Sequence, residues 1–107
     1  MPKQGQPRDT VFARRLREVR MGAGLSQKRL GIAIGLDPFV ASTRINRYER
    51  GVSWPDVSVI LKMADALGVP AAMFFTSDDR LAEAIELFAQ ASKRKQAAVL
   101  KMLRPSG

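Results

Sequence analysis

Apolar residues recur along most of the chain at intervals of three and four, the spacing of one helix face, and β-branched and aromatic residues do not alternate as in a strand. Phe12, Leu16 and Val19 form the first such face behind Thr10 as N-cap, which predicts a helix to about Ala23, stopped by Gly22 and Gly24. Arg14, Arg15 and Arg17 are expected mostly off that face. Ser26 caps a second helix to about Ile34, with Leu30, Ala33 and Ile34 inward. A third helix ends at Gly51 and turns Ala41, Ile45 and Tyr48 to the core. Two starts are open to it: Asp37-Pro38 as N-cap and first-turn proline, or Ser42 as the cap. Asp56 then caps a fourth helix whose expected stripe is Val57, Ile60, Leu61, Ala64 and Leu67, closed by Gly68. Pro70 to Phe75 reads as a short helix. Ser77, Asp78 and Asp79 supply caps for the next, with Leu81, Ala84, Ile85, Phe88 and Ala91, and Ser92 begins the last, with Val99, Leu100 and Leu103. The class is all-α, six or seven short helices without an internal repeat.

Composition narrows the chemistry. At 107 residues the chain suits one domain. It has no cysteine and no histidine, which excludes disulfides, thiolate nucleophiles, Ser-His relays and the usual zinc sites. Asp78-Asp79 reads as a capping cluster rather than a metal site, and Met63, Met73 and Met102 as core filler or contact surface. No nucleophile stands beside an activating base, so we expect no enzyme and no cofactor. No apolar run reaches membrane-span length, and the polar opening residues lack the core of a signal peptide, which leads us to expect a cytoplasmic protein.

Charge changes the picture. The formal net charge is +8, and residues 1–53 hold eleven basic against four acidic residues, while 54–107 hold seven against six. The excess lies in the N-terminal half and suits a polyanion such as nucleic acid. Within it, Leu25 to Gly51 makes two short helices joined near Gly35. On the second, Ser42, Thr43, Arg44, Asn46, Arg47 and Arg50 face outward if Ala41, Ile45 and Tyr48 face inward. Arginine pairs bidentately with guanine, asparagine with adenine, and Ser or Thr serves bases or phosphates.

These residues resemble a known family. Leu25-Ser26-Gln27-Lys28-Arg29-Leu30-Gly31, Gly35-Leu36, Arg44 to Gly51, Pro55, Ile60, Ala64, Leu67-Gly68-Val69 and Phe74, in this order, look like the Cro/C1-type (XRE family) helix-turn-helix transcriptional regulators. The resemblance spans about residues 12–75. It implies a lambda-repressor-like five-helix DNA-binding domain with one or two extra C-terminal helices, its third helix in the major groove. It places base-reading roles on Ser42, Thr43, Arg44 and Arg47, with Asn46 adjacent. It places phosphate contacts on Ser26 and Gln27, where a helix N-terminus favours an anion, and on Arg50, Ser53 and Trp54. Trp54 reads equally as a loop anchor over the fourth helix. Arg20 and Glu49 match a pair that ties the first helix to the third.

The sequence departs from the family pattern in Leu36 to Ala41, about four residues longer than the common connection. Four residues are close to one helical turn, so the third helix can begin at Pro38. The apolar character of Phe39 and Val40 instead favours a longer turn, with both tucked against the second helix and Ser42 capping. A second departure, Lys93-Arg94-Lys95, puts cations in a first turn and reads as a solvated run.

The expected organisation is a flexible basic arm over 1–9, the helix-turn-helix domain over 10–76, and a helical extension over 77–107 that packs on the core and contributes to a dimer. The expected function is a sequence-specific regulator, a repressor, binding double-stranded DNA as a homodimer on an inverted repeat. It would be nucleoid-associated when bound, with no membrane partner and no small-molecule cofactor. The first rival is a protein-interaction module such as an antitoxin, which shares the fold; the second is a peripheral membrane or RNA-binding basic protein, against which stands the small number of aromatics, mostly at core positions.

Overall fold

The computed structural model describes residues 10–106; the arm expected over 1–9 lies outside them. Six α-helices follow in order: α1 (Val11–Gly22), α2 (Gln27–Ala33), α3 (Pro38–Glu49), α4 (Val57–Leu67), α5 (Asp79–Gln90) and α6 (Lys93–Leu103). A 3-10 helix, Ala71–Phe75, joins α4 to α5.

Each α-helix starts on a side chain that accepts from a free first-turn N–H. The hydroxyl oxygens of Thr10, Ser26 and Ser92 accept from Ala13, Arg29 and Lys95 at 3.0, 3.0 and 3.1 Å. Asp37 accepts from Phe39 at 2.8 Å, Asp56 from Val59 at 3.0 Å, and Asp78 from both Arg80 and Leu81. The Ser58 hydroxyl, first, and the Val59 N–H hold the Asp56 carboxyl below its ordinary value.

The core lies among α1, α2, α3, α4 and the 3-10 helix, where Leu16, Leu30, Ile45, Met63 and Phe74 are fully buried. Phe12 meets Phe74 edge-on at 5.7 Å and lies tilted under Trp54 at 5.4 Å. α2 and α3 approach so closely at Gly31 that a Cβ there would stand 2.6 Å from the Ala41 Cβ and 2.9 Å from its Cα. Only glycine at this position lets the two backbones meet at this distance.

Several expectations are corrected. α3 begins at Pro38 behind Asp37, so the extra residues lengthen the helix and not the turn, and Ser42 is no cap. Phe39 is 96% exposed and Val40 44%, so neither is tucked against α2. The Asp37 cap and the proline-fixed φ stabilise the start enough that these side chains can stay in solvent. Arg15, expected off the apolar face, is buried, because its Nε donates to the Thr76 carbonyl at 3.1 Å and Nη2 to Asp79 at 2.8 Å. Ala33 is exposed, and Gly31 takes the inward place. On α4 the stripe turns toward Met63: Ile60, Met63 and Ala64 are buried, while Val57 and Leu61 are exposed at its margin.

The extension packs on the core only through α5, whose start is tied to α1 by Arg15 and Asp79, and not through α6. α5 buries only Ala82, and α6 buries no residue. The Gln96 side-chain amide links the two by donating to the Phe88 carbonyl at 2.7 Å. The radius of gyration is 16.0 Å, against about 13 Å for a compact chain of this length.

Gly31→Ala is expected to destabilise the domain by about 1–3 kcal/mol in urea unfolding, because Ala41 backbone must move. Gly22→Ala, which meets nothing within 4 Å, is expected to raise stability slightly. The lowered Asp56 pKa has a definite sign: its cap stabilises the fold above the carboxyl's unfolded value and is lost as pH falls through the folded one. Thermal melts of Asp56→Ala and the parent are therefore expected to differ at neutral pH and converge in strong acid.

Candidate nucleic-acid interface

At 100° per residue, Ala41, Ile45, Tyr48 and Glu49 fall on one side of α3, and all four are buried. The opposite side carries Phe39, Val40, Thr43, Arg47 and Arg50, all exposed, and the half-buried Asn46, with exposed Ser42 and Arg44 at its two margins. α3 ends because Gly51, at φ 70°, takes a left-handed turn that returns its N–H to the Tyr48 carbonyl at 3.2 Å.

The helix is held at both ends. Near its start is the Gly31–Ala41 approach. At its last residue the Glu49 carboxylate is almost wholly buried and forked by Arg20, whose Nε donates to Oε2 and Nη2 to Oε1 at 3.0 Å. Arg20 Nη1 donates to the Leu25 carbonyl at 2.8 Å, and the Gln27 side-chain amide donates to Glu49 Oε1 at 3.1 Å. The Arg20–Glu49 pair thus joins α1, α2, the loop between them and α3. A bidentate guanidinium fixes angle as well as distance.

The cations divide into two groups. Three of the four on α1 are used internally: Arg14 and Arg15 pair with Glu18 and Asp79, and Arg20 with Glu49, while Arg17 is exposed and forms no ion pair among the described residues. Lys28, Arg29, Arg44, Arg47 and Arg50 form no ion pair among the described residues. α2 and α3 therefore keep all of their positive charge for a ligand, while Lys62, Arg80 and the cations of α6, like Arg17, also form no ion pair among the described residues.

The remaining predicted site residues are placed as follows. Ser26 holds the α2 cap with its hydroxyl oxygen, so its O–H hydrogen remains for another acceptor. Gln27 commits one amide hydrogen to Glu49, a link that sequence reading missed. Ser53 has a buried hydroxyl oxygen with no protein partner, next to the C-terminal end of α3, where its N–H donates to the Arg47 carbonyl at 3.4 Å. Trp54 leans on Phe12 and keeps 55% of its surface exposed, so it anchors the loop and still presents an edge. Phe39 and Val40 were missed as surface features of α3; the Asp37-Pro38 dipeptide was the signal that put them there. Among the described residues no group of His, Cys, Asp or Glu is arranged to hold a metal, and no helix is long and apolar enough to cross a membrane.

Removing either member of the Arg20–Glu49 pair leaves its partner desolvated without a counter-charge. Arg20→Ala and Glu49→Gln are each expected to cost about 3–5 kcal/mol in chemical denaturation.

A family model described as a helix-turn-helix domain matches residues 11–74. Among solved structures, that of the transcriptional regulator BswR is 34% identical, with a TM-score of 0.81 over 85% of this chain and 90% of that one. Such coverage exceeds the residues of α1 to the 3-10 helix and takes in part of the C-terminal hairpin. The restriction-modification controller protein C.AhdI from Aeromonas hydrophila is 37% identical, with a TM-score of 0.54 over 61% of this chain and 92% of its own. No curated protein sequence matches significantly.

Proposed function

The chain belongs to the helix-turn-helix domain family, among the regulators of the Cro/C1 type, and from this we propose that it represses transcription by binding an inverted repeat in double-stranded DNA as a homodimer. The observation that carries the reading is the exposed side of α3, where Arg44, Arg47 and Arg50 form no ion pair among the described residues and the helix is clamped at both ends. From Phe39 to Arg50 this face runs about 16 Å, or about five base pairs. Arg44, Asn46 and Arg47 are assigned to base edges, with Ser42 and Thr43 beside them. Arg50, Ser26, Gln27, Ser53 and Trp54 are assigned to the flanking phosphates.

The extension over 77–107 is assigned to dimerisation, through an apolar face that the chain itself leaves uncovered: Leu81, Leu87, Leu100 and Leu103 are all exposed. Its charge supports a second copy as the cover. Residues 78–90 hold four acidic residues and one basic, whereas 93–104 hold five basic residues and no acidic one. A two-fold axis that lays α6 of one chain against α5 of the other pairs opposite charges twice.

Selection of bound fragments from random duplex DNA is expected to return an inverted repeat with half-sites about 34 Å apart. Arg44→Ala and Arg47→Ala are each expected to reduce preference for the selected site over random DNA by about 1–3 kcal/mol, and Gln27→Ala to weaken both alike. With about 6–8 phosphates neutralised, log K should fall with log salt at a slope of about −5 to −7. Equal losses on both DNAs for the arginine variants would count against base reading. Sedimentation equilibrium should give two chains for the parent and one for Leu87→Glu, whose parent side chain lies outside the core.

A further inference from the structure

We propose that Phe39, flanked by Val40, is a specificity-determining contact for the 5-methyl group of a thymine in the major groove. The inference rests on the reading of α3 as the DNA-facing helix and goes beyond its polar residues.

An isolated exposed apolar residue is ordinary. The direction of this one is what informs. Phe39, Arg50, Thr43 and Arg47 fall within an arc of about 80° around α3, directly opposite the buried side, and Val40 stands at its edge. The aromatic ring therefore sits on the same face as Arg47, about 12 Å toward the helix start, or between three and four base pairs away. Nothing among the described residues covers it, since 96% of its surface is accessible.

Whatever lies beneath the ring must be recognised without hydrogen bonds. Of the groups that base pairs show in the major groove, the thymine methyl is the apolar one, and phenylalanine is suited to touch it. The start of α3 is also fixed rather than free to wedge. The Phe39 N–H is held by Asp37 at 2.8 Å, and two residues on Ala41 is packed on Gly31. Side chains that pry base steps apart do so from the minor groove, and a helix lying in the major groove presents the ring to base edges instead.

The test begins with duplexes selected by the full-length protein from random DNA. Each thymine of the selected duplex is then replaced, singly, by deoxyuridine, which removes only the methyl. At one position per half-site the parent protein is expected to lose about 4-fold in affinity, and about 15-fold when both half-sites are replaced, as for one buried methyl each. Phe39→Ala is expected to bind the thymine and uracil duplexes equally and to keep the parent's melting temperature. Phe39→Leu, which retains an apolar contact, is expected to keep the methyl sensitivity. The proposal is overturned if no uracil position separates the parent from Phe39→Ala, or if Phe39→Ala loses the same factor on random duplex. Enrichment of a duplex without a methyl-sensitive position sinks this inference alone. Failure to enrich any duplex sinks the DNA-reading proposal and this one with it.

Discussion

The buried carboxylate of Glu49 is the point on which the arrangement of the helices depends. It is the last residue of α3, it lies in the core side of that helix, and it cannot be desolvated without a partner. Arg20 supplies two hydrogen bonds from α1 and Gln27 a third from α2. The same arginine reaches the Leu25 carbonyl, which fixes the turn that launches α2. Such a network contributes little net stability over an apolar filling, but its geometry has one solution. That solution sets the angle at which α3 presents its outer face.

The other constraint on α3 is steric. Where α2 and α3 cross, glycine at 31 and alanine at 41 remove the bulk that would separate them. With a close crossing near one end and a fork of charge at the other, the helix has neither slack nor tilt. The four additional residues before it lengthen this rigid element instead of loosening the turn. The outer face consequently gains an apolar first turn ahead of its guanidiniums.

Beyond the 3-10 helix the physics changes. Arg15 fastens the start of α5 through Thr76 and Asp79, and Ala82 is the last side chain to be fully buried. From there the amphipathic helices of the hairpin bury no further side chain fully. Its charges are segregated by helix, acidic on α5 and basic on α6, the pattern on which the proposed pairing with a second copy rests.

Local patterning was enough to locate the helices. Thr10, Ser26, Asp56, Asp78 and Ser92 each cap a helix where a capping residue precedes an apolar period, because both signals act within one turn and need no distant partner. The core residues Ala41, Ile45 and Tyr48, and hence the outward side of α3, followed from the same periodicity. Three things were decided only by tertiary packing. Arg15 is buried because two acceptors 61 and 64 residues away converge on it. The α4 stripe turns toward Met63, since a stripe's centre depends on which neighbours face it. Phe39 stays in solvent because none of the other described residues covers it, whereas its apolar character argued for cover. Periodicity assigns a side chain to one side of its own helix; what lies opposite that side is a property of the assembled molecule.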